Sequence, residues 1–144
     1  MTRIWSKEIS LEKLNSLSKG NMLEHLAIEF TDFGDDYIEA IMPVDNRTIQ
    51  PFGYLHGGAS VVLAETLGSV AGNFVCGEDA SCLGLEISAN HIKAVKSPSK
   101  IKGRTYPINI GKSIQVWQID VKTMDDELIC SSKITLYVRR AIAR

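Results

Sequence analysis

The chain has 144 residues, 44% of them hydrophobic and 23% charged, with a formal net charge of -1 at pH 7. This length builds one core, and a near-neutral balance gives none of the positive field that nucleic-acid binding needs. Cys76, Cys82 and Cys130 are odd in number and form no CxxC pair, so neither a disulfide framework nor a zinc site is expected, and the thiols are read as reduced and buried. The opening MTRIWSKEIS has no apolar stretch of the signal-peptide kind, and a cytoplasmic protein is expected.

Residues 10–18, SLEKLNSLS, are predicted as a short helix. Ser10 is its N-cap, Leu11, Leu14 and Leu17 share a face, and Gly20 stops it. LAIEF (26–30) and YIEAIMPV (37–44) alternate on either side of the turn TDFGDD (31–36), which predicts a hairpin; Pro43 and DNRTIQ mark its exit. A turn at Pro51-Phe52-Gly53 and then His56-Gly57-Gly58 lead into a helix running to about Val75. Its surface is Ala, Val, Leu and Gly nearly all round, the pattern of a helix buried on every side. Its glycines and Glu65 read poorly as a membrane span.

Gly77-Glu78-Asp79 ends the helix, and four strand-like runs follow, 83–95, 100–109, 113–123 and 128–140. Pro107 predicts an edge or a bulge in the second of them. Asp35-Asp36 and Asp125-Asp126 are read as turn residues, and Trp117 as core or interface packing. The chain contains no linker, repeat or low-complexity segment. Two strands, one long buried helix and four antiparallel strands in a meander make an α+β protein with a sheet of about six strands. A sheet wrapped around a single apolar helix lets each bury the other. This is the hotdog fold, with residues 1–144 as one domain. One sheet leaves strand edges unpaired, so two chains are expected to join into a longer sheet.

The chemistry concentrates in RTIQPFGYLHGGASVVLAETLGSVAGN, residues 47–73. A helix starting near Gly57 presents unpartnered N–H groups with the positive end of its dipole behind them, and adjacent glycines leave those amides open to a carbonyl oxygen that gains charge. Glu65 is a lone acid in an apolar run, which costs stability unless the group is paired or used. It lies eight residues past Gly57, about 12 Å along a helix, with Ser69 at i+4 able to hold a carboxylate oxygen. Such an acid serves as general base or nucleophile toward an activated acyl group such as a thioester. The structural alternative is an ion pair with Arg47 or His56.

QPFGYLHGGASVVLAETLGSVAG resembles the signature of hotdog-fold acyl-CoA thioesterases of the PaaI type. The likeness is greatest to the 1,4-dihydroxy-2-naphthoyl-CoA hydrolases of menaquinone synthesis and their enterobactin-pathway relatives. GDDYIEAIMPVDNRT, LEISANH and QVWQI are similar to the same group, so the likeness runs over nearly the whole chain. It implies a hydrolase of aromatic or bicyclic acyl-CoA without metal or cofactor. In it Glu65 is the catalytic carboxylate, the Gly57 amide polarises the carbonyl, Gln50 and His56 orient the thioester, and Ser69 positions water or the acid. The resemblance also implies that the acid and the Gln–His–Gly segment facing it come from different subunits of a dimer of dimers, and that His91 stands near the substrate entrance.

Further candidates for substrate binding are Gly58 beside the open amides, and Phe52, Tyr54, Leu67 and Val70 as walls of an apolar pocket. HIKAVKSPSKIKGR, residues 91–104, has five Lys or Arg and no acid. Lys93, Lys96, Lys112 and Ser113 are candidates for the phosphates of coenzyme A, although IGKSIQ departs from the more basic turn expected in this group. The competing functions are a proofreading thioesterase acting on misacylated carrier protein, a hydroxyacyl dehydratase using His56 and Glu65, and a non-catalytic acyl-CoA-binding module. No nucleic-acid or membrane partner is expected.

Overall fold

A computed structural model describes residues 2–141. Along the chain come α1 (Leu11–Ser16), α2 (Met22–His25), β1 (Glu29–Phe33), β2 (Ile38–Val44), α3 (Gly57–Val75), β3 (Ala80–His91), β4 (Ser99–Ile110), β5 (Ile114–Thr123) and β6 (Leu128–Arg140). The six strands form one antiparallel sheet of order β1-β2-β4-β5-β6-β3. Period-two patterning builds it: β2 buries Ile38, Ala40, Met42 and Val44, and β5 buries Gln115, Trp117, Ile119 and Val121. These inward side chains face α3, as the α+β hotdog reading requires.

The helix contributes small residues where the sheet comes closest. Ser60, Leu63, Ala64, Leu67, Gly68, Ala71, Gly72 and Val75 form its buried stripe. A Cβ on Gly68 would stand 2.5 Å from Cγ2 of Ile134, and one on Gly72 would stand 2.4 Å from Cδ1 of Leu136. From the sheet side, a Cβ on Gly103 would meet Cδ1 of Leu67 at 2.6 Å. The stripe also corrects the expectation of a helix buried all round. On the opposite side Glu65 is exposed, and Val61, Val62, Ser69 and Val70 are half-buried. One sheet face covers one side of a helix, and among the described residues Glu65 on the other side is left open to solvent.

The topology differs from the predicted meander. β3 pairs with β6 from Ala80↔Arg140 to His91↔Cys130, whereas β4 pairs with β2 on one side and β5 on the other. The connector after β3 therefore crosses the end of the molecule. It is fastened to the loop before α3 by Leu55 N–H to the Val95 carbonyl at 2.8 Å and Ser97 N–H to the Gly53 carbonyl at 3.0 Å. This leaves the outer edge of β3 unpaired, with Leu83 and Leu85 exposed. Pro107 sits at a bulge in β4, as its missing N–H requires.

The predicted first hairpin strand is shifted. Asn21 caps α2, its side chain accepting from Leu23 N–H at 3.0 Å, and Ala27 turns the chain at φ 56. Residues 26–28 are therefore consumed before β1 begins, and the turn contracts to Gly34–Asp36, where Gly34 N–H donates to the Tyr37 carbonyl. In α1 Ser10 caps as predicted, but only Leu14 of the three leucines is buried. The N-terminal segment is held by Trp5, whose ring stacks on Trp117 with centroids 6.4 Å apart and whose Nε1 donates to the Gly34 carbonyl at 2.7 Å. All three cysteines are free and buried. Burial, with Cys76 beside it, pushes the Cys82 thiol from an ordinary 9.0 up to about 12.

Two outcomes follow. Gly68→Val forces a branched side chain into Ile134 and lowers the unfolding free energy by about 1–3 kcal/mol, measurable by urea denaturation. The Cys82 thiol keeps its proton in the folded chain at pH values where the unfolded chain loses it. Stability is therefore full below about pH 9 and declines as pH rises toward 12. Urea unfolding at pH 8 and 10.5 shows that decline in the parent and a shallower one in Cys82→Ala.

Candidate active site

The site begins where the chain enters α3. His56 is extended, at φ -68 and ψ 130, and its Nδ1 turns back to accept from Gly58 N–H at 2.8 Å. Its carbonyl receives Ala59 N–H at 2.9 Å and Ser60 N–H at 3.3 Å, and its own N–H donates to Thr48 at 2.8 Å. Of the first helical amides, that of Gly57 has no protein acceptor among the described residues. It is a bare donor at the positive end of a 19-residue helix. A side chain at 57 would have to displace the His91 imidazole, whose Nε2 lies 2.8 Å from where its Cβ would be. A side chain at 58 would crowd the capping imidazole, 3.0 Å from Nδ1.

Gln50 reaches the same place from the preceding loop. Gln50 N–H donates to the Tyr54 carbonyl at 2.8 Å, and Gly53 closes the turn at φ 89, where only glycine is unstrained. The Gln50 side-chain oxygen accepts from Phe52 N–H, which leaves its amide N–H groups free to donate. Gln50, Tyr54, Ser60, His91 and Lys93 line an open cleft of about 280 Å³. Ser60, a buried hydroxyl in the first turn of α3, was not singled out by sequence. It is one of many serines, and only the fold gives it a cleft.

Glu65 stands two turns further along, exposed to solvent. Neither structural partner anticipated for it is present. Arg47 pairs with Asp45 at 2.6 Å, and this arginine holds the Asp45 carboxyl below its ordinary range. His56 is occupied by its cap. Ser69 makes no hydrogen bond to Glu65; its carbonyl accepts from the Asn73 side chain at 2.8 Å. Ser69 and Val70 instead border a second, mainly apolar groove of about 330 Å³ with Lys7, Leu17, Asn73 and Phe74. The exposed position of Glu65 corrects the view that this acid carries a burial penalty within one chain.

Other candidates scatter. Phe52 is 83% exposed at the tip of its turn, outside the cleft. Leu67 is fully buried against Gly103, so it belongs to the core and not to a substrate pocket. Lys96 is exposed and pairs through its backbone with Tyr54. Lys93 forms an ion pair with Glu127. Lys112 and Ser113 border a separate surface hollow with Tyr137, Arg139 and Arg140. β6 runs from Cys130 beside His91 to Tyr137 beside Ile114, so this hollow lies roughly 23 Å from the cleft along the strand. Arg139 and Arg140 were missed as neighbours of Lys112 because they lie almost thirty residues away in sequence, at the end of β6.

Within one chain the open Gly57 amide and Glu65 are separated by about 12 Å of helix. The amide points out of the N-terminal end, away from the acid. Within one chain, a single carbonyl group cannot touch both.

Comparisons with known proteins identify the family. Residues 52–130 match the family model described as Thioesterase superfamily. The chain is 50% identical over 133 residues to the 1,4-dihydroxy-2-naphthoyl-CoA hydrolase of Escherichia coli, covering 92% of this chain and 96% of that one. It is 46% identical over 135 residues to the proofreading thioesterase EntH of Cronobacter turicensis, covering 94% and 98%. A solved thioesterase from Haemophilus influenzae superposes with a TM-score of 0.94 at 49% identity over 98% of both chains. Another from Pseudomonas aeruginosa gives 0.92 at 38% identity over 95% of this chain and 99% of that one. With its six-stranded sheet, long helix and open helix-terminal amide, the chain belongs to the thioesterase superfamily and is a thioester hydrolase.

Proposed function

We propose that this thioesterase hydrolyses aromatic or bicyclic acyl-CoA, with 1,4-dihydroxy-2-naphthoyl-CoA as the foremost candidate, in a site shared by two subunits. The observation that carries the reading is the unpartnered Gly57 N–H beside His91, which shares a cleft with Gln50, on the same helix as an unpaired carboxylate. The thioester oxygen accepts from that N–H and from the Gln50 amide, which lowers the energy of the tetrahedral oxyanion. His56 holds the helix end in the required shape. Glu65 then takes the proton from water as hydroxide adds to the carbonyl carbon, or adds to that carbon itself through a carboxylate oxygen. In the first route the C–S bond then breaks and coenzyme A leaves as a thiolate that takes the proton held by Glu65; in the second the thiolate leaves a mixed anhydride on Glu65, and water hydrolyses it, releasing the acid, restoring the carboxylate and supplying the proton to sulfur. Ser69, beside Glu65 on the helix, orients the water.

The second subunit enters through the unpaired β3 edge. Antiparallel pairing of two such edges runs the two α3 helices in opposite directions, so the Gly57 end of one comes alongside the other's Glu65. The same pairing moves the Lys112–Ser113 end of one chain toward the other's His91 and Lys93, where the coenzyme A phosphates would emerge. The assembly is a dimer of dimers, each chain a single domain, in the cytoplasm. The likeness to EntH favours a second reading, in which the acyl group arrives on a misloaded carrier protein.

Thiol release from 1,4-dihydroxy-2-naphthoyl-, benzoyl-, phenylacetyl- and a medium-chain acyl-CoA tests the substrate. The bicyclic and benzoyl thioesters are expected to turn over far faster than the aliphatic one, and a reversed ranking rejects the assignment. Misacylated carrier protein outrunning every CoA ester would select the second reading. Glu65→Gln is expected to lose about a hundredfold or more of kcat while its unfolding free energy stays within about 0.5 kcal/mol of the parent, since the side chain is exposed and unpaired. The shared site has its own check. Glu65→Gln and Gln50→Ala chains, each inactive, are unfolded together and refolded; mixed dimers hold one intact site and regain activity, whereas a site confined to one chain regains none.

A further inference from the structure

Among the described residues the buried polar side chains are Thr48, Ser60, Thr105, Gln115 and Ser132. Four of them are satisfied by the protein. Thr48 Oγ1 donates to the Pro43 carbonyl at 2.9 Å, Thr105 Oγ1 to the Gln118 carbonyl at 3.1 Å and Ser132 Oγ to the Ser88 carbonyl at 2.8 Å, while the Gln115 side-chain oxygen accepts from Trp117 Nε1 at 2.8 Å. Ser60 is the exception. It is 2% exposed, yet among the described residues its hydroxyl has no hydrogen-bond partner. The side-chain oxygens sealed from solvent without a partner are Ser18 Oγ and Thr31 Oγ1. Ser60 differs from these because it borders open space, the cleft of about 280 Å³ beside His91. A buried hydroxyl that has lost water and gained no protein partner lowers stability, so a group that fills the cleft is the partner it lacks.

The walls around this hydroxyl are tied down. Leu55 N–H donates to the Val95 carbonyl at 2.8 Å, and the Ile92 and Lys93 N–H groups both donate to the Ile129 carbonyl, at 2.8 and 3.3 Å. Ser60 lies three residues past Gly57, about 4.5 Å along the helix. A helical side chain leans back over the turn that precedes it, so the Ser60 hydroxyl is directed toward the Gly57 end of the cleft. His91 stands at that end, against Gly57, and the wall continues through Ile92 and Lys93 to Ala94.

A thioester whose oxygen sits on the Gly57 N–H, with its coenzyme A phosphates beside Lys93, runs its thiol arm along this cleft. The first polar group on that arm is an amide, two methylenes from sulfur. We propose that Ser60 is a substrate-binding residue whose hydroxyl takes this amide and so positions the thioester carbonyl on the Gly57 N–H. The inference rests on the proposed function, in which the Gly57 amide receives the thioester oxygen. A hydroxyl both accepts and donates, so it serves the amide N–H or the amide carbonyl. An arm of the same length without the amide leaves the buried oxygen unpaired, and the site disfavours it. Binding at this point on the arm is spent on orienting the reacting carbonyl.

Two benzoyl thioesters test this in the parent and in Ser60→Ala. One is made with N-acetylcysteamine, which keeps the amide, and the other with 1-pentanethiol, which matches its chain length without one. The parent is expected to prefer the amide thioester in kcat/KM, and Ser60→Ala to reduce that preference about fivefold or more. Intrinsic reactivity cancels, because the same ratio is compared between two proteins. Where turnover is too slow to rank, the Ki of each thioester against benzoyl-CoA gives the ratio. A serine that only packs lowers both thioesters alike, so an unchanged ratio overturns the proposal. So does a parent that treats the two arms equally. A changed ranking of 1,4-dihydroxy-2-naphthoyl- against benzoyl-CoA, with the arm ratio unchanged, puts the hydroxyl on the acyl group and overturns it too. Should Ser60→Ala fail to fold, Ser60→Gly replaces it under the same criterion. The two coenzyme A esters separate the failures. No thiol release from either by the parent removes the catalytic reading itself, whereas release with an unaltered arm ratio removes only the role of Ser60.

Discussion

The close approach of α3 to the sheet is the contact on which the rest depends. Gly68 and Gly72 on the helix, and Gly103 on β4, leave no room for a Cβ against Ile134, Leu136 and Leu67. Small residues at the contact let a nineteen-residue helix lie flat across five strands, burying its stripe without a second layer above it. The helix is thereby fixed in direction and height. Its N-terminal amides emerge at the end of the sheet where His91 and the 48–55 loop converge, and its opposite face is left toward solvent. A helix held less closely would carry Gly57 away from His91 and dissolve the cleft.

That geometry explains why the functional groups are divided. A helix bears its polar terminus at one end and its side chains along its flank, so an oxyanion donor at Gly57 and a carboxylate at Glu65 are separated by their own helix. On the proposed reading two features are incomplete at once: among the described residues the outer edge of β3 lacks a partner, and the site lacks one of its halves. In the proposed dimer a single twofold operation would supply both. In the proposed dimer the basic hollow at Lys112, Arg139 and Arg140 would come toward the neighbouring chain's cleft.

Parts of this were plain from residues alone. The limits of α3 were legible because a glycine pair opens it and Gly77-Glu78-Asp79 closes it, with an unbroken apolar run between. The period-two strands β2, β5 and β6 were legible because each has one solvated face. The hairpin itself was legible, but its first strand was placed three residues early because Asn21 and Ala27 impose local turns that strand patterning does not register. The meander was misread because β3 and β4 are neighbours in sequence, while the sheet leaves β3 on its far edge and joins β4 to β2. Leu67 resembled the residues around it in the motif, and only its contact with Gly103 shows that it belongs to the core.

The sequence by itself determined the fold class, the long apolar helix, and Glu65 and Gly57 as candidates, with Gln50 and His56 added by the family resemblance. These are local properties, set by residue type, spacing and backbone freedom along a continuous stretch. The tertiary structure alone decided that Glu65 is exposed and unpaired, that His91 lies over Gly57, that Lys112 belongs to the opposite end of the sheet, and that Lys7 and Phe74 share a groove. Those facts are distances between segments far apart in the chain. Such distances depend on which strand edges pair and how closely a helix can approach them, and no periodicity in a single sequence encodes either one.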